Sequence, residues 1–297
     1  MILSFSDSSH EAQALADLLG LPHHTIHTRH FPDGESLVRL PPELPENVVI
    51  FRSLHHPDSK LVQLLIAART ARKLGAKHLT LITPYLCYMR QDMAFEPGQA
   101  ISQLVIGEWL GALFNAVITV DPHLHRIDRL EQAIPIQEAI ALSAAEAIGH
   151  YLKSHGANDI VLVGPDAESH QWVSEVSRVC GAPFVTASKV RSGDKDVNVT
   201  LPPFNYQGTH LVLVDDVISS GHTMIEAAQE GLKRGAKSVS AVCTHALLAE
   251  NARELMTQAG IDDLISCNSI ADDSNRIDLT PLLASSYREL LGRQGIR

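Results

Sequence analysis

The chain has 297 residues, long for one hydrophobic core and comfortable for two domains of ordinary size. Hydrophobic residues make up 45% of it and charged residues 20%, which excludes a disordered or fibrous chain, and no apolar run approaches the ~20 residues that cross a bilayer. A formal net charge of −10 argues against a nucleic-acid or anionic-membrane binder, which needs a positive field. A small phosphorylated ligand is still allowed, because a few local cations, backbone amides and a metal ion suffice to hold one.

The opening Met1-Ile2-Leu3-Ser4-Phe5-Ser6-Asp7 has no basic segment and gains an acid early, so it does not read as a secretory signal. Cys87, Cys180, Cys243 and Cys267 are isolated, with no CxxC pair, and read as buried thiols in a reducing, cytoplasmic compartment. Most of the sixteen histidines, such as His23, His24, His27 and His30, lack a ligand spacing and read as surface or partly packed imidazoles.

Along the chain, short β-branched runs alternate with helical patterns: Val48–Phe51, Leu79–Thr83, Val117–Val120, Ile160–Val163, Leu211–Val214 and Val239–Cys243. Uniformly apolar runs of this length, separated by amphipathic segments, predict buried parallel strands in an α/β architecture. The pattern Leu61–Leu74 predicts a helix that stops at Gly75, a C-terminal cap. The turn composition of Phe31-Pro32-Asp33-Gly34 lies before these elements.

An internal repeat organises the whole. Strand Val48–Phe51, a loop, a helix and Gly75-Ala76-Lys77 correspond to strand Leu211–Val214, a loop, a helix and Gly235-Ala236-Lys237, with the two Gly-Ala-Lys triplets 160 residues apart. Two related α/β domains in tandem follow, with a boundary expected near residues 143–156: an N-terminal domain over 1–145 and a C-terminal domain over 146–297. The last helix is a candidate to pack on the N-terminal domain. In open α/β sheets ligands bind at the carboxyl ends of strands. There the second copy carries Asp215-Asp216, and the first carries Arg52-Ser53-Leu54-His55-His56. Only the second reads as a site.

That segment continues as Val217-Ile218-Ser219-Ser220-Gly221-His222-Thr223: two carboxylates, then small polar residues entering a helix. Amides at a helix N-terminus beside Ser and Thr hydroxyls cradle phosphate. The carboxylates suit sugar hydroxyls or the water shell of Mg²⁺.

The segment resembles the phosphoribosyl diphosphate-binding motif of the type I phosphoribosyltransferase fold. Phe31-Pro32-Asp33-Gly34-Glu35-Ser36, Tyr85–Asp92, Asp121-Pro122-His123, Gly164-Pro165-Asp166, Lys189-Val190-Arg191 and Thr244-His245 follow in the order found in ribose-phosphate pyrophosphokinases. The chain is therefore similar to that family over nearly its full length, and Arg90–Ser102 is closer to its archaeal-type branch. The resemblance implies two tandem phosphoribosyltransferase-like domains, each a mostly parallel sheet flanked by helices.

It also implies an enzyme that transfers the β,γ-diphosphoryl group of ATP to the C1 hydroxyl of ribose 5-phosphate, giving 5-phosphoribosyl 1-diphosphate and AMP, with Mg²⁺ required. By resemblance, Lys189 and Arg191 are catalytic, stabilising charge on the transferring group. Phe31, Asp33, Glu35, Arg90, Gln91, Asp92 and His123 bind ATP, with the adenine pocket shared between subunits of a dimer or hexamer. Asp215, Asp216, Ser219, Ser220, Gly221, His222 and Thr223 hold ribose 5-phosphate; Asp166, Ala167, Glu168 and Ser169 form the diphosphate loop; His123 and Asp166 hold the metal. Glu168 and His222 depart from the family pattern, an acid near a diphosphate and an imidazole where glycine is usual. Two rivals stand beside this reading, a phosphoribosyltransferase and a catalytically silent regulatory relative. No nucleic acid or membrane is expected as partner.

Overall fold

The computed structural model describes residues 1–156, 159–191 and 197–295, with the side chains of 189–191, 197 and 198 outside that description. The chain divides into two compact units, Met1–Leu142 with Leu279–Arg297, and Ser143–Asp278.

The first unit runs β1 (Ile2–Ser4), α1 (Ser9–Leu19), β2 (His23–Thr25), a hairpin of β3 (His27–His30) and β4 (Ser36–Arg39), then β5 (Asn47–Phe51), α2 (Pro57–Lys73), β6 (His78–Thr83), α3 (Ser102–Gly111), β7 (Ala116–Val120) and β8 (Glu138–Leu142). Its six-stranded sheet has the order β2-β1-β5-β6-β7-β8 and every pairing is parallel. Parallel strands covered by helices on their faces are buried throughout, and β7 has no exposed residue. The helix Thr280–Arg293 returns to this unit and packs on α1, where Arg288 donates to the Leu18 carbonyl at 2.5 Å. As the pattern predicts, α2 ends at Gly75, whose φ of 112° only glycine adopts without strain.

The second unit runs α4 (Ala145–Ser154), β9 (Ile160–Gly164), α5 (His170–Cys180), β10 (Phe184–Thr186), a hairpin of β11 (Ser188–Arg191) and β12 (Val197–Thr200), then β13 (His210–Ile218), α6 (His222–Lys233), β14 (Ser238–Ala246), α7 (Ala252–Gln258), β15 (Ile261–Cys267) and β16 (Asn275–Ile277). Its sheet order, β10-β9-β13-β14-β15-β16, repeats that of the first unit position for position, again all parallel. Even the small antiparallel hairpin recurs. The tandem repeat read from two Gly-Ala-Lys triplets thus extends over the whole of both units.

Two paired strands run on past the sequence pattern. β13 does not stop at Val214 but runs to Ile218, because β14 is equally long and pairs with it as far as Ala246; Asp215 lies opposite Cys243 and Val217 opposite His245. The two acids therefore sit inside the last turns of a paired strand instead of after it.

Candidate active site

In the second unit the β13 end fixes two carboxylates. Asp215 keeps part of its surface, yet its carboxyl is enclosed: burial first, then the neighbouring charges of Asp216 and Asp166, push its pKa well above the ordinary carboxylate value. The Asp216 amide donates to Asp215 Oδ1 at 3.0 Å, and the Val217 amide donates to Asp216 Oδ1 at 2.7 Å, so local bonds orient both side chains. Asp166 comes from the turn after β9. It accepts the Ser169 amide at 3.2 Å, while Ser169 Oγ donates to its carbonyl at 2.6 Å. Three carboxylates from two adjacent strand ends thus gather within electrostatic reach of each other.

Beyond them, Ser219 and Ser220 lead to Gly221, left-handed at φ 75° just ahead of α6, where an added Cβ would meet Met256 Cγ at 3.0 Å. The amides of the first turn of α6 are left for a ligand or water. His222 opens the helix as an exposed side chain, its Nδ1 3.1 Å from Ser220 Oγ, so the imidazole is tied to its own loop. Glu168 and Ala167 are exposed as well, whereas Ser169 is buried in the turn. Thr244 and His245 lie buried on β14, with His245 Nδ1 2.8 Å from Ser269 Oγ, which donates to the Thr244 carbonyl at 2.7 Å. Lys189 and Arg191 lie on β11, in register with Val199 and Val197 of β12; their side chains are outside the described residues.

In the first unit, Phe31, Asp33 and Glu35 share the exposed turn of the β3–β4 hairpin, closed by the Phe31 amide on the Glu35 carbonyl at 2.8 Å. The Phe31 ring lies under the Arg29 guanidinium at 5.0 Å. Arg90 is exposed, Gln91 accepts from Ser102 Oγ at 2.7 Å, and Asp92 is met by Arg126 Nε at 3.3 Å. His123, at a φ of 57°, places Nε2 2.7 Å from His125 Nε2. At that distance one nitrogen donates and the other accepts. The residues that the resemblance assigns to ATP thus lie in the first unit, and those it assigns to ribose 5-phosphate and diphosphate in the second.

The sequence reading missed the first unit's own strand-end chemistry. Arg52 and Lys60 are buried after β5 and in α2, and both reach the Asp7 carboxylate. Their pKa values are lowered by burial, an effect Asp7 opposes. In the repeat this is the counterpart of Asp215–Thr223, but it is filled by the protein's own carboxylate. The spacing of a cation at the strand end and another one helical turn into α2 was the available signal.

Fold and site together define a protein of the phosphoribosyltransferase class in two tandem copies. The family model described as the N-terminal domain of ribose phosphate pyrophosphokinase matches residues 1–113, and that of the phosphoribosyl transferase domain matches residues 132–284. The ribose-phosphate pyrophosphokinase of Methanopyrus kandleri is 34% identical over 295 residues, covering 98% of this chain and 100% of that protein. That of Methanothermobacter thermautotrophicus is 31% identical over 291 residues, covering 97% and 100%. The crystal structure of phosphoribosylpyrophosphate synthetase from Mycobacterium smegmatis shares the fold, with a TM-score of 0.85 at 23% identity and 99% of each chain covered. The chain belongs to the ribose-phosphate pyrophosphokinase family.

Proposed function

We propose that this chain makes 5-phosphoribosyl 1-diphosphate: the C1 oxygen of ribose 5-phosphate attacks the β-phosphorus of ATP, the bond from that phosphorus to the α,β-bridging oxygen breaks, and AMP leaves. The observation that carries the reading is the β13 end, where Asp215 and Asp216 precede the Ser219–Thr223 approach to α6. Such a site binds a phosphorylated sugar by both ends. Helix-start amides and the Ser219, Ser220 and Thr223 hydroxyls take the 5-phosphate, and the carboxylates accept hydrogen bonds from the ring hydroxyls.

The residues present fit Mg²⁺. Asp166, Asp215 and Asp216 offer hard oxygen donors, and their mutual repulsion is what a dication relieves. His123 and Asp166 are assigned to the Mg²⁺ on the ATP phosphates. Bound there, the metal offsets phosphate charge that builds as the diphosphoryl group moves. Lys189 and Arg191 supply the remaining positive charge, a point cation and a planar fork. Such a transfer depends on positioning and charge neutralisation more than on covalent catalysis. Phe31, with Asp33 and Glu35, offers an exposed ring for adenine. The four free cysteines are buried, which suits a reducing, cytoplasmic setting, and among the described residues no helix is long and apolar enough to cross a membrane. A homo-oligomer in which the Phe31 hairpin serves a neighbour's site completes the reading.

The test is a coupled assay with ATP, Mg²⁺ and ribose 5-phosphate. AMP and phosphoribosyl diphosphate should form together in equal amounts. Absence of AMP from correctly folded protein would overturn the assignment in favour of a silent relative.

A further inference from the structure

Gln103 is a buried amide side chain on the inward face of α3. α3 turns Gln103, Gly107 and Leu110 inward, one face at helical spacing. Gly107 holds that face close, since an added Cβ would lie 1.9 Å from the Ala133 carbonyl oxygen. The helix is thereby fixed against the 130–134 segment, and Gln103 is delivered one turn earlier, at 2% exposure. A buried amide must find hydrogen-bond partners. Gln103 Nε2 donates to the Met89 carbonyl at 3.2 Å, and its backbone amide donates to the Gln91 carbonyl, also at 3.2 Å. Ser102 Oγ adds a bond of 2.7 Å to Gln91 Oε1.

These three bonds straddle a single residue, Arg90. Met89 before it is buried, Gln91 after it is half-buried, and Arg90 itself is exposed. One residue further back, Tyr88 is held at a left-handed φ of 63° with its hydroxyl on Asp58. The exposed stretch after Gln91 is closed on itself by Gln99, whose Oε1 accepts the Phe95 and Glu96 amides at 2.7 and 3.3 Å. The stem of the loop is pinned on both sides of one cation.

We propose that Gln103 is a positioning residue for Arg90: its two bonds to the 89 and 91 carbonyls fix the backbone from which the arginine meets the nucleotide phosphates. This rests on the reading that Arg90 contacts ATP. A guanidinium presented from a fixed stem loses less freedom on binding than one on a free loop.

The test compares Gln103→Met, which keeps side-chain volume and removes the donor, with Ser102→Ala and Arg90→Ala. Each is assayed for AMP formation, and Gln103→Met and Ser102→Ala also for the rate of tryptic cleavage after Arg90. In Gln103→Met, kcat/KM for ATP should fall by about 10–100-fold, as misplacement of a binding group costs. KM for ribose 5-phosphate should stay within about twofold, since uniform binding there is untouched. Cleavage after Arg90 should accelerate by more than the fall in melting temperature from the lost buried bond explains, and Ser102→Ala should shift both readouts in the same direction but less. Equal losses on both substrates, or wild-type cleavage and kinetics in a folded variant, would overturn the proposal. If Gln103→Met does not fold, wild-type cleavage and ATP kinetics in Ser102→Ala would overturn it. A normal Arg90→Ala enzyme would instead overturn the underlying role of Arg90, even if cleavage in Gln103→Met still accelerates.

Discussion

Asp7 Oδ2 lies 3.0 Å from Arg52 Nη2 and 3.2 Å from Lys60 Nζ, so in the first unit one carboxylate answers two buried cations. Arg52 also stacks 3.8 Å from the centroid of the buried Phe5 ring, and Lys60 donates to the Ser53 carbonyl at 2.9 Å. Removing one partner of a buried pair costs roughly 3–5 kcal/mol, because the other charge is left uncompensated. Asp7 is 33% exposed, so solvent softens the loss. Asp7→Ala should therefore lose about 1–3 kcal/mol in chemical denaturation, with part of the loss restored by acetate or phosphate that enters the vacated place. Burial works to raise the Asp7 carboxyl, but Arg52 and Lys60 outweigh it and hold it below the ordinary 3.8. Its stabilisation is thus fully present above that value and fades as pH falls through the lower folded-state value. The gap between wild type and Asp7→Asn should be flat above about pH 5 and shrink below pH 4.

His55, beside Lys60 in the same cluster, is expected to make the fold acid-sensitive in a higher window. Burial first, then the charges of Lys60 and His56, lower its pKa from 6.5 to about 4. The neutral imidazole is the form the fold accepts, so its contribution is present above 6.5 and lost as pH falls toward 4. Urea midpoints of the wild type should decline across that window, and His55→Gln should decline less. Parallel curves for the two proteins would show that His55 is not the group that titrates.

Much of this architecture could be read from local pattern, and the reasons are specific. Central strands such as Val117–Val120 are buried at every position, Thr119 included, because both faces are covered, and their β-branched runs show it. The repeat was legible because Gly75 and Gly235 both serve left-handed positions after equivalent helices. Edge strands such as His23–Thr25 left no trace, since they are three residues long and polar. The run of β13 through Asp215 and Asp216 depends on the length of β14, a partner more than twenty residues away in sequence. The same holds for Asp7 and Arg52, 45 residues apart, whose pairing no local spacing announces. The residues proposed to contact ligand come from family resemblance alone, and the burial of Gln103 on α3 had no local signal in the sequence.

Asp215 is expected to show the conflict between site and fold. Its raised pKa means that the ionised carboxylate is disfavoured in the folded state, so it costs stability progressively as pH climbs above the ordinary 3.8. Without metal at pH 7 to 8, Asp215→Asn should melt at the same temperature as wild type or higher. Mg²⁺ should raise the wild-type melting temperature by mass action and raise that of Asp215→Asn less. Equal Mg²⁺-induced shifts in the two proteins would remove Asp215 from the cation's surroundings.

Lys189 offers the sharpest separation of binding from chemistry. It lies on β11, held in register by the pairing with β12, and not on β13, whose end is proposed to take the sugar phosphate. If its ammonium meets charge that develops only as the diphosphoryl group moves, its loss costs turnover and spares ground-state binding. Lys189→Ala should lower kcat by about 10²–10³-fold, the usual price of one such group. KM for ribose 5-phosphate should be nearly unchanged. Asp216→Ala should show the converse, a raised KM for ribose 5-phosphate with a smaller effect on kcat. A Lys189→Ala enzyme of near-normal turnover would rule out the role given to that side chain, and one impaired only in ribose 5-phosphate binding would move Lys189 into the sugar site.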